Sequence, residues 1–69
     1  MDHIAIIEAK HQALSRRLDE ATLRLWAATE ARSLGHGGVS TVAKATGMSR
    51  TTIYAGVAEL KVALGTVNK

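Results

Sequence analysis

What most limits how this chain can fold is the run Val42-Ala43-Lys44-Ala45-Thr46-Gly47-Met48-Ser49. Val42 is apolar and can face a core, and Ala43 is small enough for another helix to cross close by. Gly47 stands four residues after Ala43, where a helix has to end. A left-handed residue belongs there, and glycine takes positive φ without steric cost. Met48 can plug the turn, and the Ser49 side-chain oxygen can cap the helix that follows. Ile53, Val57, Leu60 and Leu64 then recur at spacings of four, three and four, one face of a helix. Residues 39–64 therefore predict a helix-turn-helix, with an ordinary glycine-linked helical hairpin as the plainer alternative.

The rest of the composition agrees with an all-α fold. Proline, cysteine and phenylalanine are absent, and Trp26 and Tyr54 are the only aromatics. Helices are not interrupted, no disulfide or thiolate metal site can form, and the core has to be built from Ile, Leu, Val and Ala. The 69 residues suffice for one small domain of four helices.

Ile4, Ile7, His11, Leu14 and Leu18 make a narrow apolar stripe, widened by Ile6, that predicts an N-terminal amphipathic helix within residues 1–18. It is expected to run from 3 to 18 and to pack on its own domain or to pair with a second copy as a homodimer. Residues 19–65 form the remaining helical unit, and 66–69 a tail, with fraying expected from Gly65 onward. Asp19 can cap a helix over 20–34, with Trp26 as its central core residue and Gly35 ending it. Gly37 and Gly38 allow a sharp redirection, Ser40 or Thr41 opens a third helix within 39–46, and a fourth covers 50–64. Gly56 inside that last helix costs roughly 1 kcal/mol against alanine, which points to close approach of another helix. Trp26, Ile53, Val57 and Leu60 are expected among the most buried residues.

Charge divides the chain. Residues 1–35 carry five basic and five acidic side chains, whereas residues 36–69 carry Lys44, Arg50, Lys61 and Lys69 against Glu59 alone, so the whole net charge of +3 lies in the second half. A polyanion needs that sign. No apolar run approaches the roughly 18 residues of a membrane span, no signal-peptide core is present, and a cytoplasmic protein is expected. His3, His11 and His36 have no partner at zinc spacing, Gly35-His36-Gly37-Gly38 lacks the ending of a P-loop, and no nucleophile motif occurs. No metal, no cofactor, no small-molecule substrate and no catalytic residue are expected.

In a helix-turn-helix the N-terminal end of the second helix enters the major groove of double-stranded DNA. Here that end presents Arg50, Thr51, Tyr54 and Ala55. Arg50 has the reach for guanine O6 and N7, and Thr51 could touch a thymine methyl. Ser40, Thr41 and Lys44 on the preceding helix are candidates for phosphate contacts.

Leu18-Asp19-Glu20, Arg24-Leu25-Trp26-Ala27-Ala28, Glu30-Ala31-Arg32 and Leu34-Gly35-His36-Gly37-Gly38-Val39 follow in one order, then Val42-Ala43, Ala45-Thr46-Gly47-Met48-Ser49-Arg50, Thr52-Ile53, Gly56 and Glu59-Leu60. Over roughly residues 15–61 this resembles the N-terminal region of the ISAzo13-family transposases of bacterial insertion sequences. The helix-turn-helix part is also similar to LacI-type repressors. The resemblance implies a domain that recognises the element's terminal repeats during transposition, a form of DNA recombination. The carboxylate triad of such enzymes sits on a downstream RNase H-like domain, expected to lie outside these 69 residues. The LacI-type pattern implies base-edge contacts for Arg50, Thr51 and Ala55 and phosphate contacts for Ser49, Thr52 and Tyr54. Family members commonly carry basic residues after this isoleucine, where Tyr54 and Ala55 stand here. The function expected is sequence-specific DNA binding without catalysis; the alternatives are a helical protein-interaction module and a stand-alone transcriptional regulator.

Overall fold

In the computed structural model, which describes residues 3–67 and the side-chain surroundings of residues 3–62, four helices follow one another. They are α1 (His3–Leu14), α2 (Glu20–Leu34), α3 (Gly38–Thr46) and α4 (Arg50–Val67). No strand occurs among the described residues, so the domain is all-α. α3 touches the other three helices, with α1 covering it and α2 and α4 against it, while α4 also packs along α2.

Local chemistry sets most of the boundaries. Asp19 holds extended backbone and its carboxylate accepts the Thr22 N–H at 2.8 Å, capping α2. That backbone hydrogen bond, with the Thr22 side chain adding to it, holds the Asp19 carboxyl below its usual range. Gly35 ends α2 at φ 77, with its N–H donating to the Arg32 carbonyl.

Three boundaries differ from expectation. α1 stops at Leu14 rather than 18, because residues 15–17 form a turn in which the Arg17 N–H donates to the Leu14 carbonyl at 2.9 Å. The chain has to leave its helix there to reach the extended Asp19 cap. α3 starts at Gly38, ahead of Ser40 and Thr41. Gly37, left-handed at φ 80, turns the chain, and its carbonyl receives both the Thr41 N–H and the Thr41 hydroxyl at 3.1 Å. α4 is helical through Val67, so the expected fraying at 65–67 is not seen, and residues 68–69 lie outside the described residues.

The core is built largely from small side chains. Ile7, Ala27, Ala31, Val42, Ala45 and Ile53 form one buried cluster, with Ile4, Trp26, Leu34, Val39, Ala43 and Met48 packed on its margin. Ala28 is also buried. Alanines line α2 because two helices come very close to its backbone. A Cβ on Gly38 would clash with the Ala31 carbonyl oxygen and stand 2.9 Å from its carbonyl carbon, and one on Gly56 would stand 2.7 Å from the Arg24 carbonyl oxygen. The interior that results has no room for an indole. Trp26 is therefore half-buried, not central, and lies on the α1 side of α2 stacked on His11, with ring centroids 6.1 Å apart and planes 18° apart. Lys10 reaches Glu30 at 3.3 Å across the same junction. The α1 stripe is engaged within the chain at Ile4 and Ile7.

Val57 and Leu60 are also half-buried, contrary to expectation, while Ile53 is fully covered. Helix length explains the gradient. Nine residues of α3 extend about 13 Å and the 18 of α4 about 27 Å at the usual rise. α3 therefore shields only the start of α4, and beyond it α2 is the main neighbour.

Gly56 gives a prediction with a definite sign. In an open helix Gly→Ala stabilises by about 1 kcal/mol. Here the new methyl would stand 2.7 Å from backbone and 3.0 Å from the Ala28 Cβ. Crowding of that kind costs about 1–3 kcal/mol, so Gly56→Ala should lower the melting temperature. A rise on thermal unfolding would show that α2 and α4 are less closely apposed.

Candidate nucleic-acid interface

The surface in question begins at the three-residue turn between α3 and α4. Gly47 takes the left-handed conformation at φ 78, and its N–H donates to the Ala43 carbonyl at 2.9 Å. Thr46 braces the turn from both sides: its hydroxyl donates to the Val42 carbonyl at 2.8 Å and accepts the Met48 N–H at 3.1 Å. Sequence reasoning passed over Thr46, although a threonine just before a terminating glycine is well placed for such back-bonding. Met48 packs on the core margin, as its position in the turn suggested.

Ser49 opens α4. Its Oγ accepts the Thr52 N–H at 3.1 Å and shares a hydrogen bond with the Thr52 hydroxyl at 2.8 Å. When Ser49 is the donor of that second bond, the Thr52 hydroxyl proton remains free for an outside acceptor such as a phosphate oxygen. The cap also supplies the N-terminal end of α4, whose partial positive charge favours an anion.

From this start Arg50, Thr51, Tyr54 and Ala55 are all exposed. At 3.6 residues per turn they occupy an arc of about 140°, opposite buried Ile53 and Gly56. Tyr54 is 59% exposed, one of two large apolar side chains so open among the described residues; the other is Val62. Thr52 is half-buried and lies outside the arc, toward Gly56. Ser40 and Lys44, four residues apart, share the outward face of α3, while half-buried Thr41 stands to one side with its hydroxyl donated to Gly37.

The electrostatics of α4 depend on a contact the sequence did not announce. Glu59 is the only carboxylate side chain in residues 36–69. Arg24 of α2 holds it in a two-pronged pair, Nε to Oε2 at 3.1 Å and Nη2 to Oε1 at 2.9 Å. The Arg24 hydrogen bonds hold the Glu59 carboxyl below its usual range. Lys44, Arg50 and Lys61, by contrast, are exposed and make no ion pair among the described residues. The only clue in sequence was an isolated acid in a basic half.

Among the described residues no cluster of His, Asp or Glu could hold a metal ion, no pocket opens, and no helix is long and apolar enough to cross a membrane. Compared with protein-family models, curated proteins and solved structures, the chain gives no match.

Proposed function

We propose that this chain binds double-stranded DNA, with the first two turns of α4 as the reading surface. The observation that carries the proposal is the exposed arc of Arg50, Thr51, Tyr54 and Ala55 at the capped start of a helix whose one carboxylate is held by Arg24. Arg50 is the guanine-reading candidate, Thr51 and Ala55 lie beside it at base edges, and phosphates are met by Tyr54 and by the Ser49–Thr52 hydroxyl pair, which has one proton to give. Ser40 and Lys44 supply contacts to the DNA backbone from α3, whereas Thr41, whose N–H and hydroxyl both go to the Gly37 carbonyl, has no donor left for a phosphate. The resemblance to ISAzo13-family transposases favours terminal-repeat recognition as the setting.

The test is titration of labelled duplexes, both random and selected from a randomised pool, across a salt series. Lys44, Arg50 and Lys61, the exposed cations of residues 36–62, can neutralise at most three phosphates per copy, so the slope of log affinity against log salt should be no steeper than about −3, since each neutralised phosphate contributes roughly −0.9. Selected duplexes should bind more tightly than random ones. Absence of binding at low salt would overturn the proposal. It would favour a second reading supported by exposed Tyr54 and Val62, in which α4 docks a protein partner.

A further inference from the structure

The contact between α2 and α4 is asymmetric. At Gly56 the two backbones nearly touch, and the Arg24 stem lies across the gap, its Cγ 3.0 Å from where a Gly56 Cβ would stand. One turn further along α4 the same Arg24 forks onto Glu59 through two hydrogen bonds, at 3.1 and 2.9 Å. Gly56 allows the close approach, and beyond it Val57 and Leu60 are only half-buried, so apolar packing constrains the roll of α4 less tightly there. A flat guanidinium forked onto a carboxylate restricts that roll, because two parallel hydrogen bonds specify direction as well as distance.

We propose that Arg24 and Glu59 are a positioning pair that fixes the register of α4 on α2 and so aims Arg50, Thr51, Tyr54 and Ala55, the aim mattering to function on the duplex-binding reading above. Neither residue has to touch DNA. A recognition surface tolerates only small displacements of its side chains, and a pair one turn beyond Gly56 acts on the whole length of the reading helix.

Arg24→Lys provides the test because it keeps the charge and loses the fork. The charge-reversed double variant Arg24→Glu/Glu59→Arg also keeps the net charge and restores a fork. Residual dipolar couplings of backbone amides in the free proteins report the orientation of α4 against α2. They should shift in Arg24→Lys, with an unchanged helical circular dichroism spectrum, and return toward wild type in the double variant. On DNA, Arg24→Lys should lose roughly tenfold of the preference for selected over random duplexes, about the discrimination of one base contact, with random-duplex affinity unchanged. The double variant should regain that preference. Unaltered couplings in Arg24→Lys, or an unaltered preference where the wild type discriminates, would overturn the positioning role. If the wild type bound no duplex, the DNA reading would fall by itself, and the couplings would still decide whether the pair sets the register.

Discussion

Gly38→Ala is expected to destabilise the domain by about 3 kcal/mol or more, at or beyond the upper end of the usual cost of overpacking. The added methyl would clash with the Ala31 carbonyl oxygen and crowd its carbonyl carbon at 2.9 Å. Both atoms belong to the backbone of α2, so no side chain can rotate away. Relief requires α3 to move off α2, which would pull buried Val42 and Ala45 away from Ala27 and Ala31. At about 4–8 °C per kcal/mol for a domain of this size, the melting temperature should fall by about 12 °C or more. Gly37→Asn is the control. Gly37 is left-handed at φ 80 with nothing near its Cβ position, and asparagine tolerates that conformation. Thermal unfolding should therefore rank wild type close to Gly37→Asn and both far above Gly38→Ala. Equal melting of the two variants would mean that the glycines serve only the turn.

The largest expected effect on binding comes from Arg50→Ala. Arg50 is exposed in the first turn of α4 and makes no ion pair among the described residues. If its guanidinium forks onto a guanine, its loss should cost about 1–3 kcal/mol on selected duplexes and much less on random ones. Lys44, on the outward face of α3, should behave differently. A lysine that meets phosphate carries no sequence information, so Lys44→Ala should weaken both duplexes alike and make the salt slope shallower by about one unit. Equal losses for Arg50→Ala on both duplexes would reassign Arg50 to the phosphate backbone.

What could be read in advance was whatever has a local cause. Asp19 and Gly35 delimit α2 because a cap and a left-handed glycine act within a few residues of themselves. Gly47 and Ser49 set the turn for the same reason. Gly56 signalled close approach because a helix interior gains nothing from glycine unless a neighbour needs the space. The early end of α1 at Leu14 is the exception, a local turn ahead of Asp19 that the apolar stripe running on to Leu18 conceals. Features with non-local causes were missed. Trp26 is expected as the central core residue of α2, whereas the spacing of α2, α3 and α4 leaves only alanines buried along that helix. Pairing of Arg24 with Glu59 spans 35 residues and depends on the fold already being in place. The candidate surface was legible as a set of residues along α4, and its freedom from an unpaired carboxylate was not.

The most direct measurement is the amide spectrum of isotopically labelled protein titrated with a selected duplex. The account predicts that the largest shifts fall on residues 49–55, with smaller ones at Ser40 and Lys44, while those of α1 stay in place. Shifts concentrated on α1, or spread evenly over the chain with none focused at the start of α4, would contradict it.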